Sequence, residues 1–157
     1  MLLEQGAATV SIISRTGKTD DSLSDKIHRY TLQGKQIKIA AIDVCDPKAL
    51  TAWIMDCNQQ CGRLRGIIHA AGIVDDALIK DMDEKRYQQT IHVKYQGLRN
   101  LLDAIRHAEP DFLITYSSAS VILGSPGQIS YVSANAAMDA IIRNRNRQGL
   151  PLSLIHI

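Results

Sequence analysis

At 157 residues the chain is long enough to bury the core of one domain, and its net charge of +2 argues neither for nor against a nucleic-acid partner. Three cysteines are too few for a disulfide framework, and Cys57 and Cys61 lack a second pair of metal ligands, so we expect buried apolar cysteines and no metal site. The basic run at 143–147 is expected to be a solvated helix end. Without a membrane-length apolar run or a secretory signal, the expectation is a reduced, soluble, cytoplasmic protein.

Strands and helices are predicted to alternate along the whole chain. Apolar, β-branched stretches predict strands, while Asp46 followed by Pro47 predicts a helix start, and Gly34 and Gly62 predict helix ends. In chain order the sequence predicts the last turn of a helix (1–6), a strand (7–14), a helix (20–33), a strand (36–44), a helix (46–62), a strand (64–71), one long helix (82–108), a strand (112–116), a helix (128–147) and the start of a strand (152–157).

Short connections between alternating strands and helices are typical of right-handed βαβ units. The predicted fold class is therefore α/β, a Rossmann-like, doubly wound parallel sheet with helices on both faces. Such sheets bind ligands at the C-terminal ends of their strands. The loops expected to carry function are 15–17, 43–46, 69–76 and 117–128.

Lys94 interrupts the apolar stripe of the helix predicted over 82–108. It lies three residues after Ile91 and four before Leu98, on the face that the apolar residues define. An inward lysine is costly unless its ammonium is paired or reaches solvent. The spacing leaves two alternatives open, a functional inward lysine and a rim lysine whose amine lies in water.

Tyr131 and Asn135 lie one turn apart on the inward stripe of the helix predicted over 128–147, near the strand end that carries Ser118. A buried tyrosine is common, so this pair alone favours a structural role. With Lys94, however, the set suits proton transfer. A tyrosine protonates an oxyanion when its pKa, near 10 in the free side chain, is lowered, and a nearby ammonium favours the phenolate. Serine can hold a carbonyl and asparagine can orient a water, but hydride requires a cofactor.

Six segments resemble the ketoreductase domains of modular polyketide synthases, within the short-chain dehydrogenase/reductase superfamily. They are SRTG (14–17), DVCD (43–46), RGIIHAAGIVDDALI (65–79), VKYQG (93–97), TYSSASVILGSPGQISYVSANAAMDA (115–140) and RQGLP (147–151). The resemblance implies NADPH-dependent reduction of a carrier-protein-bound β-ketoacyl thioester to the β-hydroxyacyl thioester, in polyketide or fatty-acid-like biosynthesis. The partners it implies are the acyl carrier protein and the other domains of a multifunctional synthase module, with no nucleic acid and no membrane.

The resemblance also implies the catalytic residues. They are Lys94, Ser118, Tyr131 and Asn135. Most members of the wider superfamily have lysine at the position of Asn135, and a lysine from the preceding helix is the polyketide ketoreductase arrangement. Sugar epimerases and simple alcohol dehydrogenases are therefore disfavoured.

The same resemblance implies an NADPH site and a stereochemical class. Arg15 would meet the 2′-phosphate, to which its guanidinium geometry is suited. The other residues implied in cofactor binding are Asp43, Val44, Ala70, Ala71, Gly72, Lys94 and Tyr131. Val74, Asp75 and Asp76 stand where the family often has Leu-Asp-Asp, and Leu123 replaces the Trp of the alternative class. Both positions imply a D-configured hydroxyl product.

The chain departs from the family pattern at both ends. The family's first strand and its glycine-rich turn, which seats a pyrophosphate at a helix N-terminus, should precede Met1, and that strand normally lies between the strands at 7–14 and 64–71. The ending LSLIHI (152–157) also differs, as at a gene-fragment or sequencing boundary. We therefore expect a single partial ketoreductase domain over 1–157 that folds poorly, binds NADPH weakly and lacks activity when expressed alone.

Two other functions compete with this interpretation. A non-catalytic structural ketoreductase piece of a synthase module stays open as the alternative. A serine hydrolase fits poorly, because no Gly-x-Ser-x-Gly elbow surrounds Ser117 or Ser118. His69 and His107 are expected to be a loop residue and a helix-end residue rather than members of a catalytic triad.

Overall fold

A computed structural model describes residues 2–106, 108, 110–149 and 153–156. In this part of the chain the strands are β1 (Thr9–Ser14), β2 (Gln36–Ala41), β3 (Gly66–His69), β4 (Phe112–Ser117) and β5 (Ser153–His156). The α-helices are α1 (Asp21–Leu32), α2 (Pro47–Cys61), α3 (Glu84–Ile91), α4 (Gly97–Ala104), α5 (Ser120–Leu123) and α6 (Ile129–Arg147). A 3₁₀-helix spans Ile79–Asp81, and a π-helix spans His92–Gln96.

The strands pair in parallel and form two sheets. β1 pairs with β2 in one sheet, and β3, β4 and β5 lie in that order in the other. Within the described residues no ladder joins β1 to β3. The predicted parallel α/β class is confirmed, although the sheet is divided at the place where the resemblance puts a further strand.

The main helix boundaries follow from local capping, as the sequence predicts. The carboxylate of Asp20 accepts a hydrogen bond of 2.7 Å from the backbone N–H of Leu23 at the start of α1. Asp46 does the same for Lys48 and Ala49, at 3.0 Å each, and Pro47 takes the first position of α2. These caps satisfy N–H groups that have no partner within the helix.

Several predicted boundaries differ from the observed ones. Residues 2–6 end as a glycine-capped helical turn does, as predicted: Gly6 has a φ of 101°, its N–H donates to the carbonyl of Leu3, and the N–H of Ala7 donates to the carbonyl of Leu2. β2 and β3 end at Ala41 and His69, two or three residues earlier than predicted. β5 lies within the strand predicted at 152–157, but residues 152 and 157, like residue 1 and His107, lie outside the described part of the chain.

The single long helix predicted over 82–108 is one continuous helical segment over 84–104, shorter at both ends than predicted and with a change of hydrogen-bond register inside it. A π-helical turn separates α3 from α4, and the N–H of Gly97 donates to the carbonyl of His92, five residues earlier. The helix packs closely against Val44 at Gly97, where an added Cβ would lie 2.8 Å from Cγ1 of Val44. Hydrophobic spacing indicates which face of a helix is buried but not its hydrogen-bond register. The apolar spacing of this segment therefore did not predict the π-helical turn.

The core lies among α2, α4, α6 and β4. It contains Leu50, Ile54, Leu98, Leu101, Ile105, Leu113, Met138 and Ile142. Cys57 is buried as expected, whereas Cys61 is exposed at the end of α2, so the prediction of two buried cysteines is wrong for Cys61. In the described part of the chain, no helix combines the length and apolar character needed to cross a membrane.

Candidate active site

Lys94 is buried at the junction between the π-helix and β4. The residue is 5% exposed, and Nζ donates a hydrogen bond of 3.1 Å to the carbonyl of Tyr116. Nζ also lies 5.4 Å from the centroid of the Tyr131 ring. Burial lowers the pKa of Lys94 below its ordinary value, and the charge of Asp139 opposes part of that effect. The inward alternative is therefore the one observed.

Asn135 and Tyr131 lie one turn apart on α6, facing the core side as predicted. Asn135 is fully buried, and its Nδ2 donates a hydrogen bond of 2.8 Å to the carbonyl of Tyr131. Its Oδ1 is buried and has no hydrogen-bond partner among the residues that the structure describes. Buried polar atoms are nearly always satisfied, so this acceptor is suited to a donor such as a bound water. Tyr131 itself is half-buried.

Ser117 is the last residue of β4, and Ser118 directly follows the strand. The Oγ of Ser118 accepts hydrogen bonds from the N–H and the hydroxyl of Ser120, at 3.2 and 2.9 Å. Its own hydroxyl hydrogen therefore stays available to a ligand. Ser117 is fully buried and lines the adjacent cleft, and no described residue forms a hydrogen bond with its Oγ. The sequence reasoning selected Ser118 and did not select Ser117, although β4 buries every second residue and the alternation places Ser117 inward.

A cleft of about 360 Å³ opens at the C-terminal ends of β3 and β4. This is the edge at which parallel sheets bind ligands. Five of the predicted site residues line it, together with two that were not selected. The lining residues are Ala70, Gly72, Val74, Lys94, Tyr116, Ser117 and Tyr131.

The predicted adenosine-side residues lie at the C-terminal edge of the other sheet. Arg15 directly follows β1 and is exposed, while Asp43 lies two residues after β2. Ser14 at the end of β1 is paired with Ala41 at the end of β2, so Arg15 and Asp43 both lie at the C-terminal edge of that sheet. Val44 packs beside α4, where its carbonyl accepts a hydrogen bond of 3.1 Å from Asn100. These residues and Ala71 do not line the cleft.

Asp75 and Asp76 are held by neighbouring elements. The carboxylate of Asp75 accepts hydrogen bonds from Nε of Arg86, at 2.9 Å, and from Nη2 of the same residue. These bonds hold the pKa of Asp75 below its ordinary value. Oδ2 of Asp76 accepts a hydrogen bond of 3.0 Å from Gln128, three residues before Tyr131.

Asp139 is a buried acid that sequence reasoning missed. It lies one turn beyond Asn135 on α6 and is 3% exposed, and its Oδ1 has no hydrogen-bond partner within the described part of the chain. Its Oδ2 is 3.0 Å from His156 and 3.9 Å from Arg143. Because its charge acts on Lys94, it belongs to the electrostatics of the site. The repeat of polar residues at 131, 135 and 139 was the available signal.

His69 is the last residue of β3, not a loop residue as expected. It is 4% exposed, and Nε2 lies 3.4 Å from the carbonyl of Lys94. Since a carbonyl only accepts, Nε2 must carry the hydrogen. Burial lowers the pKa of His69 to about 4, so the ring is neutral at physiological pH.

A parallel α/β fold with a buried lysine, a tyrosine and an asparagine at the carboxyl edge of its strands is that of a short-chain dehydrogenase/reductase. The KR domain family model matches residues 1–157. The chain therefore belongs to the ketoreductase domain family of polyketide synthases.

Similar proteins agree with this family. The chain is 33% identical over 150 residues to polyketide synthase GfsA of Streptomyces halstedii, covering 96% of this chain and 2% of that protein. It is 31% identical over 155 residues to a phenolphthiocerol/phthiocerol polyketide synthase of Mycobacterium tuberculosis, covering 99% of this chain and 8% of that protein. The chain thus spans a small part of the length of these curated relatives.

Solved ketoreductase structures share the fold. A structure of A-type ketoreductases from a modular polyketide synthase superposes with a TM-score of 0.90 at 29% identity, covering 99% of this chain and 33% of that one. PlmKR1, a ketoreductase from the first module of phoslactomycin biosynthesis in Streptomyces sp. HK803, gives 0.86 at 26% identity, covering 95% and 35%.

The lowered pKa of His69 predicts an acid-sensitive fold. The unfolded chain binds a proton at His69 near pH 6.5, whereas the folded chain binds it only near pH 4, so stability is lost as the pH falls between these values. We expect His69 to cost about 2 kcal/mol of unfolding free energy between pH 7 and pH 5. Urea denaturation at the two pH values measures this loss.

His69→Gln is the control for that experiment. Glutamine retains an N–H donor for the Lys94 carbonyl but does not titrate. The variant should lose about 2 kcal/mol less than the unsubstituted protein between pH 7 and pH 5. Equal losses in the two proteins would show that His69 is not buried in its neutral form.

Proposed function

We propose that this chain is part of a ketoreductase domain that uses NADPH to reduce a β-ketoacyl thioester on an acyl carrier protein to the β-hydroxyacyl thioester. The observation that carries the proposal is the position of Lys94. The residue is buried, its amine donates a hydrogen bond to the Tyr116 carbonyl, and the amine lies above the ring of Tyr131. The two relatives named above are both polyketide synthases, which supports the pathway class.

The residues of the cleft fit a nicotinamide cofactor, which would supply the hydride that no side chain can supply. Gly72 is exposed beside Lys94, and a Cβ added there would lie 2.9 Å from Cε and 3.4 Å from Nζ of Lys94. A side chain at this position would therefore close the approach to Lys94. Arg15, exposed after β1, would hold the 2′-phosphate through charge-assisted hydrogen bonds.

The side chains divide the proton chemistry among them. The hydroxyl of Tyr131 donates its proton to the ketone oxygen as that oxygen gains charge. The ammonium of Lys94 stabilises the phenolate left behind, and the hydroxyl hydrogen of Ser118 holds the carbonyl. The Oδ1 of Asn135, which accepts no hydrogen bond from the described residues, suits a water that returns a proton to the site.

The stereochemical class belongs to the proposal as well. Val74 lines the cleft, followed by Asp75 and Asp76, and Leu123 stands where the other class has tryptophan. Both features favour a D-configured hydroxyl. The partners proposed with it are the other domains of a synthase module, and the proposed location is the cytoplasm.

Tyr131→Phe tests the central assignment. In the polypeptide that carries this chain, loss of the hydroxyl should lower kcat for a β-ketoacyl thioester by at least about 100-fold, the usual size of a general-acid contribution. NADPH binding, measured by fluorescence titration, should stay within about twofold because the ring remains. Tyr30→Phe, on α1, is the matched control and should leave both values unchanged.

Two outcomes would contradict the assignment in different ways. Retained turnover in Tyr131→Phe would remove Tyr131 as the proton donor. Absence of turnover in the unsubstituted polypeptide, with NADPH added, would instead favour the non-catalytic structural alternative.

Gly72→Ala should impair the site without changing any group that takes part in chemistry. The added methyl must displace the end of Lys94 from the Tyr116 carbonyl, so kcat should fall by about 10- to 100-fold. Gly66→Ala is the control for a steric clash away from the cleft, because its added methyl collides with the Phe112 ring at the opposite end of β3, more closely than the methyl at residue 72 meets Lys94. If steady-state kinetics show equal losses in the two variants, crowding of Lys94 is not the cause.

Arg15→Ala should change the cofactor preference. Loss of charge-assisted contacts to the 2′-phosphate should raise the Kd for NADPH by about 10- to 100-fold, while the Kd for NADH stays the same. Arg29→Ala, an arginine on α1, is the control for a general loss of positive charge. An equal weakening of both cofactors would refute the contact to the 2′-phosphate.

A further inference from the structure

The segment 73–78, here called the Val74 loop, contributes Val74 to the lining of the cleft. Val74 lines the cleft beside Lys94 and Tyr131, yet the residue is 63% exposed. A side chain with so little packing of its own cannot determine its position. The contacts of the neighbouring loop residues must therefore hold Val74 in place.

Arg86 of α3 holds the loop from one side. Its guanidinium donates to both carboxylate oxygens of Asp75, in the paired geometry that makes arginine–carboxylate contacts directional. Nη2 also donates to the carbonyl of Asp76 at 3.3 Å, and Nη1 to the carbonyl of Asp81 at 3.4 Å. One side chain thus joins both ends of the segment between Val74 and α3.

Arg86 is itself held in position. Asp83 caps α3 by accepting a hydrogen bond of 2.9 Å from the backbone N–H of Arg86. The side chains of Arg86 and Asp75 are 34% and 32% exposed, so the pair is shielded compared with an ordinary surface pair. The exposed pair of Arg106 and Asp103 offers a comparison within the same chain, with exposures of 70% and 67%.

The start of α6 holds the loop from the other side. The N–H of Ala77 donates to the carbonyl of Gly127 at 2.8 Å, and Gln128 donates to Asp76 at 3.0 Å. The hydroxyl of Ser130 donates to the carbonyl of Asp75 at 3.4 Å. These contacts come from residues just before Tyr131, so the loop and the tyrosine share one support.

We propose that Arg86 is a positioning residue that holds Val74 against the cleft and so determines which face of the ketone is presented for reduction; this inference rests on the function proposed above. Without Arg86 the loop keeps its contacts to α6 but loses its connection to α3. Val74 can then move, and the two orientations of the substrate become more similar in free energy.

The test compares Arg86→Ala, Arg86→Lys and Arg106→Ala in the polypeptide that carries this chain. We expect Arg86→Ala to raise the fraction of the minor β-hydroxyl stereoisomer by about tenfold and to raise KM, with the Kd for NADPH unchanged. Arg86→Lys retains the charge but not the paired hydrogen bonds, so it should not restore selectivity. Arg106→Ala should match the unsubstituted protein.

Hydrogen exchange provides a readout that does not depend on turnover. Amides of residues 73–78 should exchange about tenfold faster in Arg86→Ala, while amides of β4 keep their rates. A general loss of stability would accelerate both segments together. The double variant Arg86→Ala/Asp75→Ala should exchange no faster at residues 73–78 than Arg86→Ala alone, because Arg86→Ala already removes the contact to Asp75.

The outcomes separate this inference from the proposed function. No reduction by the unsubstituted polypeptide would contradict the proposed function, and the exchange rates of residues 73–78 would then decide whether Arg86 positions the loop. Reduction with an unchanged stereoisomer ratio in Arg86→Ala would overturn the inference and leave the proposed function intact. Unchanged exchange at residues 73–78 would overturn it as well.

Discussion

A lysine side chain buried beside a strand end must find partners for its ammonium, and at Lys94 this requirement organises the site. Its amine donates to the Tyr116 carbonyl, which ties the π-helix to the end of β4. The same amine lies above the ring of Tyr131, so α6, which carries Tyr131, packs against the same ammonium. The buried charge of Asp139 compensates part of the desolvation of Lys94. Three separate elements are thus related to one another through a single charged group.

The position of Val74, which lines the cleft together with Lys94, depends on a different set of contacts. Arg86 and Gln128 hold Asp75 and Asp76 from α3 and from the start of α6, and Val74, the residue before Asp75, lines the cleft. Because α3 and α6 also pack against each other, both supports belong to one body. The contacts that position the two sides of the cleft therefore come from Lys94, Arg86 and the start of α6. Exposed side chains that line the cleft, such as Val74, do not position it.

Much of the fold could be predicted from local chemistry. Asp20 and Asp46 cap the helices that the sequence predicts, and β-branched runs form the strands. The candidate site was predicted as far as spacing could carry it: Lys94 and Asn135 are buried as their stripes require. Cys61 shows the limit, because its helical spacing from Cys57 does not report that the last turn of α2 lies in solvent.

By itself the sequence determined the parallel α/β class, the apolar stripes on which Lys94, Tyr131 and Asn135 lie, and the resemblance to ketoreductases. These depend on periodicity and on motifs, which are local properties of the chain. Only the tertiary structure decided that Arg86 donates hydrogen bonds to Asp75, that the charge of Asp139 raises the pKa of Lys94 against the effect of burial, and that Lys94 lies in a π-helical turn. Such features arise where distant segments meet, and hydrophobic spacing records the buried face of each segment but not its partner.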